Sequence, residues 1–410
     1  MTSSATRQSA TPLGRQFWVV WVAGAVSFVG SGITFGALPL LAASFTRDPR
    51  IISLSEAVAG AGWLLLGLVS GVMVDRWRRT STMWIVDSLR AVVAGALATL
   101  ILLDLANIPI LLVAGFALGL LAPFFDNASS VIIPELVAGE SLERANSYQQ
   151  ISLLVLANLI GPPVGAALFV LDHGLPILID AITFAVAAIL IFSIRHASPP
   201  RERATDRHLG RELKEGLTFL WRHKLLRSLC LLLVVVNAVA AGIVAILVLY
   251  VLEVLRLPEA GFGWLVAIYA IGGVLGALLA PRFSKRLPIF ASLLASMVIS
   301  SLAIVTFGVV SAIVVVAIAT TILGLAGTWW NVVTITLRQR LVPPALLGRV
   351  TSVYRMVAFC AAPLGAVSAG LLAHQTNLKT PYVVMGLLQL TATLAFAPTI
   401  RRELKAQQNS

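Results

Sequence analysis

The stretch 71–79, Gly-Val-Met-Val-Asp-Arg-Trp-Arg-Arg, places Asp75, Arg76, Arg78 and Arg79 together in a chain that is only 12% charged. Acid and guanidinium groups at this density can form charge-assisted hydrogen bonds with a facing surface. Further ionisable groups stand in otherwise apolar runs, where a charge must be paired or must handle protons or ions. Asp87 and Arg90 are three residues apart, on one helical face, and read as a neutralising pair near the end of their run. Asp126, followed by Asn127, is either a protonation site or an interfacial residue. Asp180, shortly after Pro176, either carries a proton or answers the positive end of its helix. Glu56 reads as a solvated cap. Enzyme chemistry is not indicated. The five histidines fall in or beside loops, and nothing clusters as metal ligands or as a nucleophile with its base. Cys230 and Cys360 sit in apolar runs and suggest neither a disulfide nor a metal site. None of the five lysines follows a glycine, so there is no phosphate-binding loop of the ATPase kind. No cofactor and no metal are expected.

The elements that position these groups follow from composition. The 410-residue chain is 58% hydrophobic. Soluble proteins carry about 25% charged residues, so this chain lacks the polar surface for water and takes the bilayer as solvent. A spanning helix needs about 20 mostly apolar residues. Runs of low charge at 15–47, 56–75, 80–103, 104–126, 144–172, 173–195, 227–253, 259–282, 349–379 and 379–401 supply ten spans. The interval 286–338 holds no internal charge and is too long for one span, so it is divided near 308–311, giving twelve. The first run is taken as a retained helix rather than a cleaved leader. Arg90 and Arg355 fall within spans. The remaining Lys and Arg divide 24 to 4 in favour of the side that holds both termini. Basic loops are cytoplasmic, so both termini and the 71–79 cluster are expected in the cytoplasm. The net charge of +12 then reflects this bias and contact with anionic lipid, not nucleic acid.

The polar stretch 195–227 separates six spans (1–194) from six spans (228–410). Within it Leu209, Leu213, Leu217, Leu220 and Trp221 fall on one helical face opposite charges. That is the pattern of a helix on the membrane surface, serving as a latch or as a plain linker. The halves repeat each other. Leu136, Val137 and Arg144 align with Leu341, Val342 and Arg349, and Pro163-Val164-Gly165 aligns with Pro363-Leu364-Gly365. Matched halves imply a transporter rocking about a central site.

Ala37–Ala42, 71–79, 134–137, 142–146, 161–165, 330–343, 346–355 and 362–365 together resemble the major facilitator superfamily. They are most similar to its bacterial branch of enterobactin and macrolide exporters, over nearly the whole chain. The resemblance implies an all-α integral membrane fold of twelve transmembrane helices in two pseudo-symmetric six-helix halves. It assigns Gly71, Asp75, Arg76 and Arg79 to a gate on the cytoplasmic side, where Arg78 and Thr80 depart from the family pattern. Glu135, at the base of the fourth span, is a partner for Arg76 or Arg79. Gly161, Pro162 and Gly165 match a motif of the family's antiporters, in which small residues pack closely and proline bends the helix. Residues 30–32 read Gly-Ser-Gly, with Ser31 where relatives carry an acid. If protons are coupled, Asp126 and Asp180 are the candidates. Phe28, Ser31, Phe35, Asn158, Asn237, Tyr269, Trp329, Trp330 and Asn331 are the expected cavity wall. With no basic cluster at mid-depth, a lipophilic neutral or cationic substrate is expected. The expected function is proton-coupled export of a drug, secondary metabolite or siderophore by a monomer in the cell membrane. The alternative is an importer or uniporter of a small nutrient.

Overall fold

The computed structural model describes residues 13–137, 141–194 and 209–408. Among these, twelve helices are long and apolar enough to cross a bilayer. The first six are α1 (Arg15–Phe45), α2 (Pro49–Arg76), α3 (Arg79–Leu102), α4 (Ile108–Leu136), α5 (Leu142–Leu171) and α6 (Leu175–Phe192). A short helix, α7 (Leu209–Arg222), precedes the second six: α8 (Lys224–Val254), α9 (Ala260–Arg286), α10 (Ile289–Val309), α11 (Ile313–Leu341), α12 (Leu346–Gln375) and α13 (Thr380–Gln408). The long uncharged interval breaks between Val309 and Ile313, overlapping the division near 308–311 expected from sequence.

Several helix ends differ from the charge-delimited runs, because capping chemistry and not charge sets them. α2 begins at Pro49, whose missing N–H costs nothing in a first turn, and Asp48 caps it by accepting from the Arg50 N–H at 2.9 Å. Glu56 therefore lies within the helix, half-buried, and is not its cap. α4 runs on to Leu136, which moves Asp126 from the end of the span to mid-helix. α3 starts at Arg79, within one residue of the run read from sequence, and the Asp87/Arg90 pair lies two to three turns into it. The eighth helix begins at Lys224, inside the linker as bounded by sequence; 195–208 lie outside the described residues.

Many large side chains point outward: Val92 is 68% exposed, Val113 70%, Phe192 70% and Val314 71%. Small and hydroxyl side chains point inward instead, including Ala94, Ala98, Ser296 and Ser301. This inversion is what lipid permits, since tails solvate leucine and valine while small residues bring backbones together. Glycine seams repeat between the halves. Gly165 of α5 meets the Ile33 backbone of α1, and Gly365 of α12 meets the Ala238 backbone of α8. Gly62 and Gly119 join α2 to α4, as Gly272 and Gly324 join α9 to α11.

The halves touch mainly on the face opposite the termini. α2 packs on α12, where a Cβ on Gly370 would stand 2.6 Å from the Ser53 Cβ. α5 packs on α9, where a Cβ on Gly263 would stand 2.6 Å from the Pro162 carbonyl oxygen. His374 Nδ1 reaches within 3.7 Å of Asp48 Oδ1. On the terminal face α4 packs substantially only within its own half, and so does α11. The molecule is closed on the far face and open on the terminal face.

The Asp48 cap yields a modest expectation. The Arg50 guanidinium, hydrogen-bonded to Asp48, holds its carboxyl down to about 2. A depressed pKa means the contribution is present above the unfolded value and is lost as pH falls through the folded one. Asp48→Ala should therefore lower stability by about 1 kcal/mol, the usual cost of a lost N-cap, equally at pH 6 and pH 8. Thermal melting in detergent at the two pH values checks this.

Candidate functional site

α1 shows how one helix divides its labour. Gly32 and Gly36 face Ala157, Gly161 and Pro162 of α5, and Gly30 faces Asp180 and Thr183 of α6. At 100° per residue, Phe28, Ser31 and Phe35 cluster within 60° of one another, on an arc beside the α5 seam and away from Gly30. Ser31 is exposed, Phe35 is 39% exposed and Phe28 half-buried. Gly161, Pro162 and Gly165 are all buried in the seams that α5 makes with α1 and α9. Just before Pro162 the helix widens to i→i+5 bonding over Leu153–Ile160. Proline removes a donor there and the ladder shifts by one residue to absorb the loss. Asn158 is exposed, and its amide donates to the Leu153 carbonyl at 3.0 Å.

Polar and ionisable groups collect in a layer. Asp126 is ten residues from Leu136, Asn331 ten from Leu341, Arg90 eleven from Arg79 and Arg355 nine from Leu346. At about 1.5 Å per residue all four sit roughly 15 Å below the terminal face. Arg90 is buried between the Phe125 and Phe184 rings, 5.2 and 5.3 Å from their centroids. Asp87, fully buried, holds it at 3.4 Å, and Asp126 and Asp180 also lie within its electrostatic reach. Asp180 is 1% exposed and accepts from Thr34 Oγ1 at 2.5 Å and Thr183 Oγ1 at 3.3 Å. It thus bonds across to α1 and is not placed at its own helix N-terminus. One guanidinium serves three carboxylates drawn from α3, α4 and α6.

At the terminal face Arg79 pairs with Glu135, tying α3 to α4. Gly71 faces Asn127, whose amide bonds Ser70 at 2.8 Å. Asp75 and Arg76 occupy the last turn of α2, and their side chains lie outside the described residues.

The expected cavity wall is placed unevenly. Asn331 is exposed, and Tyr269 is 47% exposed with its hydroxyl beside Gly327, one turn away on the same face of α11. Asn237 is half-buried and donates to the Ala358 carbonyl at 2.9 Å, a bond between α8 and α12. Trp330 does not line a cavity. It is 3% exposed and belongs with Trp329 to the core cluster of the second half, where α11 packs on α9 and α10. Sequence reasoning placed Arg355 within a span but gave neither it nor Arg338 a part in the site. Arg355 is exposed, with its guanidinium 5.9 Å from the Trp63 ring of α2. Arg338 stacks on Tyr354 at 4.6 Å and lies within reach of Arg355. Arg355, placed within a span by sequence, thus has a second guanidinium within reach toward the terminal end of α11. Arg349 near its start and Arg355 are the arginines of α12, and Arg355 alone stands in the apolar part, which was the available signal; Arg338 was counted as a loop charge because its helix was ended too early.

Comparison with known proteins follows the same lines. The chain is 26% identical over 399 residues to the multidrug efflux pump Tap of Mycolicibacterium fortuitum, covering 91% of this chain and 93% of that one. It is 24% identical over 379 residues to macrolide efflux protein A of Streptococcus pyogenes, at the same coverage. The fold matches the nucleoside transporter NupG with TM-score 0.76 at 14% identity, over 94% of this chain and 99% of that one. It matches a bacterial homologue of the iron transporter ferroportin with TM-score 0.73 at 17% identity, over 96% and 99%. The Major Facilitator Superfamily model matches residues 20–287 and 230–410. Twelve spans in two repeated halves, joined by the same glycine seams, belong with that match: the chain is a member of the major facilitator superfamily.

Proposed function

We propose that this transporter is a proton-coupled exporter that moves a lipophilic drug, secondary metabolite or siderophore out of the cell by alternating access. The observation that carries this is the link between the cleft and the buried charges. Asp126 is exposed on the wall of α4, and Arg90, behind it, also serves Asp87 and Asp180. A proton taken by Asp126 or Asp180 weakens that carboxylate's hold on Arg90 and biases the packing of α1, α3, α4 and α6, so charge state and conformation are coupled. The relatives named as efflux pumps support the outward direction. The 24-to-4 division of basic residues supports a cytoplasmic terminal face, in a monomer of the cell membrane. The two halves rock about the cleft, with the chain around 195–227 between them. In the state closed to the cytoplasm, Asp75, Arg76 and the Arg79–Glu135 pair meet the facing half and act as the gate.

The test is accumulation of fluorescent lipophilic dyes and macrolides in efflux-deficient bacteria with and without the protein. The expected result is lower accumulation, abolished by a protonophore, with Asp126→Asn or Asp180→Asn reducing export at least tenfold. Higher accumulation would overturn export in favour of uptake.

A further inference from the structure

Asp126 and Arg355 stand at one depth on opposite halves, each with side-chain surface open to the cleft, within electrostatic reach of one another. Neither makes an ion pair within 4 Å among the described residues, whereas Asp87 is held by Arg90 and Asp180 by two threonine hydroxyls. Asp126 comes from α4, which packs in the first half, and Arg355 from α12 in the second. Trp63 of α2 offers an aromatic face under the Arg355 guanidinium. Arg338, on its own ring partner Tyr354, adds positive potential behind Arg355. A charge left open in an apolar cleft gains most from a ligand that brings its opposite. Here both signs face one cleft, each without an ion pair of its own, with Arg90 also within electrostatic reach of Asp126. A bare cation that satisfies Asp126 faces Arg355 unmatched, and a bare anion on Arg355 faces Asp126.

We propose that Asp126 and Arg355 select an amphoteric substrate, with a basic nitrogen on Asp126, a carboxylate or other oxyanion on Arg355, and a flat apolar body against Trp63. Guanidinium suits this role because its planar fork binds an oxyanion through two parallel bonds while stacking on a ring. The proposal rests on reading the cleft as the substrate pathway, and on no particular direction of transport.

The experiment is equilibrium binding, by fluorescence polarisation, to full-length protein in lipid nanodiscs. The probes are a rhodamine bearing a free carboxylate, which is zwitterionic, and its methyl ester, which is a cation of the same shape. Wild type is expected to prefer the zwitterion. Arg355→Gln should weaken zwitterion binding at least tenfold and leave the ester unchanged or tighter. Arg355→Lys should keep part of the preference, and Asp126→Asn should weaken both probes. Melting temperatures of the variants identify any that fail to fold. Wild-type protein that binds only the ester, or neither probe, overturns the proposal. So does Arg355→Gln shifting both probes equally, or Arg355→Lys losing the preference as fully as Arg355→Gln. Binding without export would instead refute the exporter reading alone.

Discussion

Arg90→Ala should remove most folded protein from the membrane, and Asp87→Asn added to it should restore most of the loss. Arg90 is buried between two rings and is the cation nearest three carboxylates. Removing it leaves Asp87 fully buried with no counter-charge. Breaking a buried pair from one side costs about 3–5 kcal/mol, because the remaining charge stays desolvated. That is a factor of about a hundred or more in the folded population. Asp87→Asn takes away the orphaned charge at nearly constant shape, Asp180 keeps its threonine hydroxyls, and the cavity left by the guanidinium is the remaining cost, so most of the folding returns. Transport should not return, because Asp126 and Asp180 have lost the guanidinium that joins them. Detergent melting of the three proteins, with dye efflux from the same cells, checks both halves of the expectation. Arg90→Ala that melts like wild type would show that the three carboxylates do not depend on it.

Gly165→Val should be the second severe change. A Cβ at this position would run into the Ile33 backbone, 2.9 Å from its Cα, and backbone cannot swing aside as a side chain can. Overpacking of a tight seam costs about 1–3 kcal/mol, with more when backbone must move. The seam also carries α5, which packs on both α1 and α9, so a shifted α5 disturbs the contact between the halves. Export should fall at least tenfold even where the protein reaches the membrane. Gly365→Val, against the Ala238 backbone, should behave alike because it is the same seam in the other half. Gly24→Ala is the control: nothing lies within 4 Å of its added Cβ, and it should match wild type. Dye efflux normalised to membrane protein separates these outcomes. Wild-type efflux in Gly165→Val would refute the role of the seam.

The difference between these residues lies in what sequence can carry. Twelve spans, their order and the split near 308–311 were legible because a bilayer demands about 20 apolar residues per crossing, and charge interrupts such runs visibly. The duplication was legible as matched Pro-x-Gly landmarks, and the seams at Gly165 and Gly365 now give those letters a shared physical task. Helix ends were less legible. Charge marks where a chain meets water, whereas caps such as Asp48 mark where a helix begins, and the two differ at Glu56 and Asp126. Which side of a helix is buried was misread at Trp330. Trp330 and Asn331 are neighbours in sequence, yet 100° of rotation buries one in the core and exposes the other. Arg355 and Asp126 are far apart in the chain, and only the approach of the two halves sets them at one depth across a gap. Sequence determined that this chain crosses the bilayer twelve times as a duplicated bundle with charges inside it. Tertiary structure decided which of those charges are consumed and which remain open, because pairing depends on distances between helices that no local pattern records.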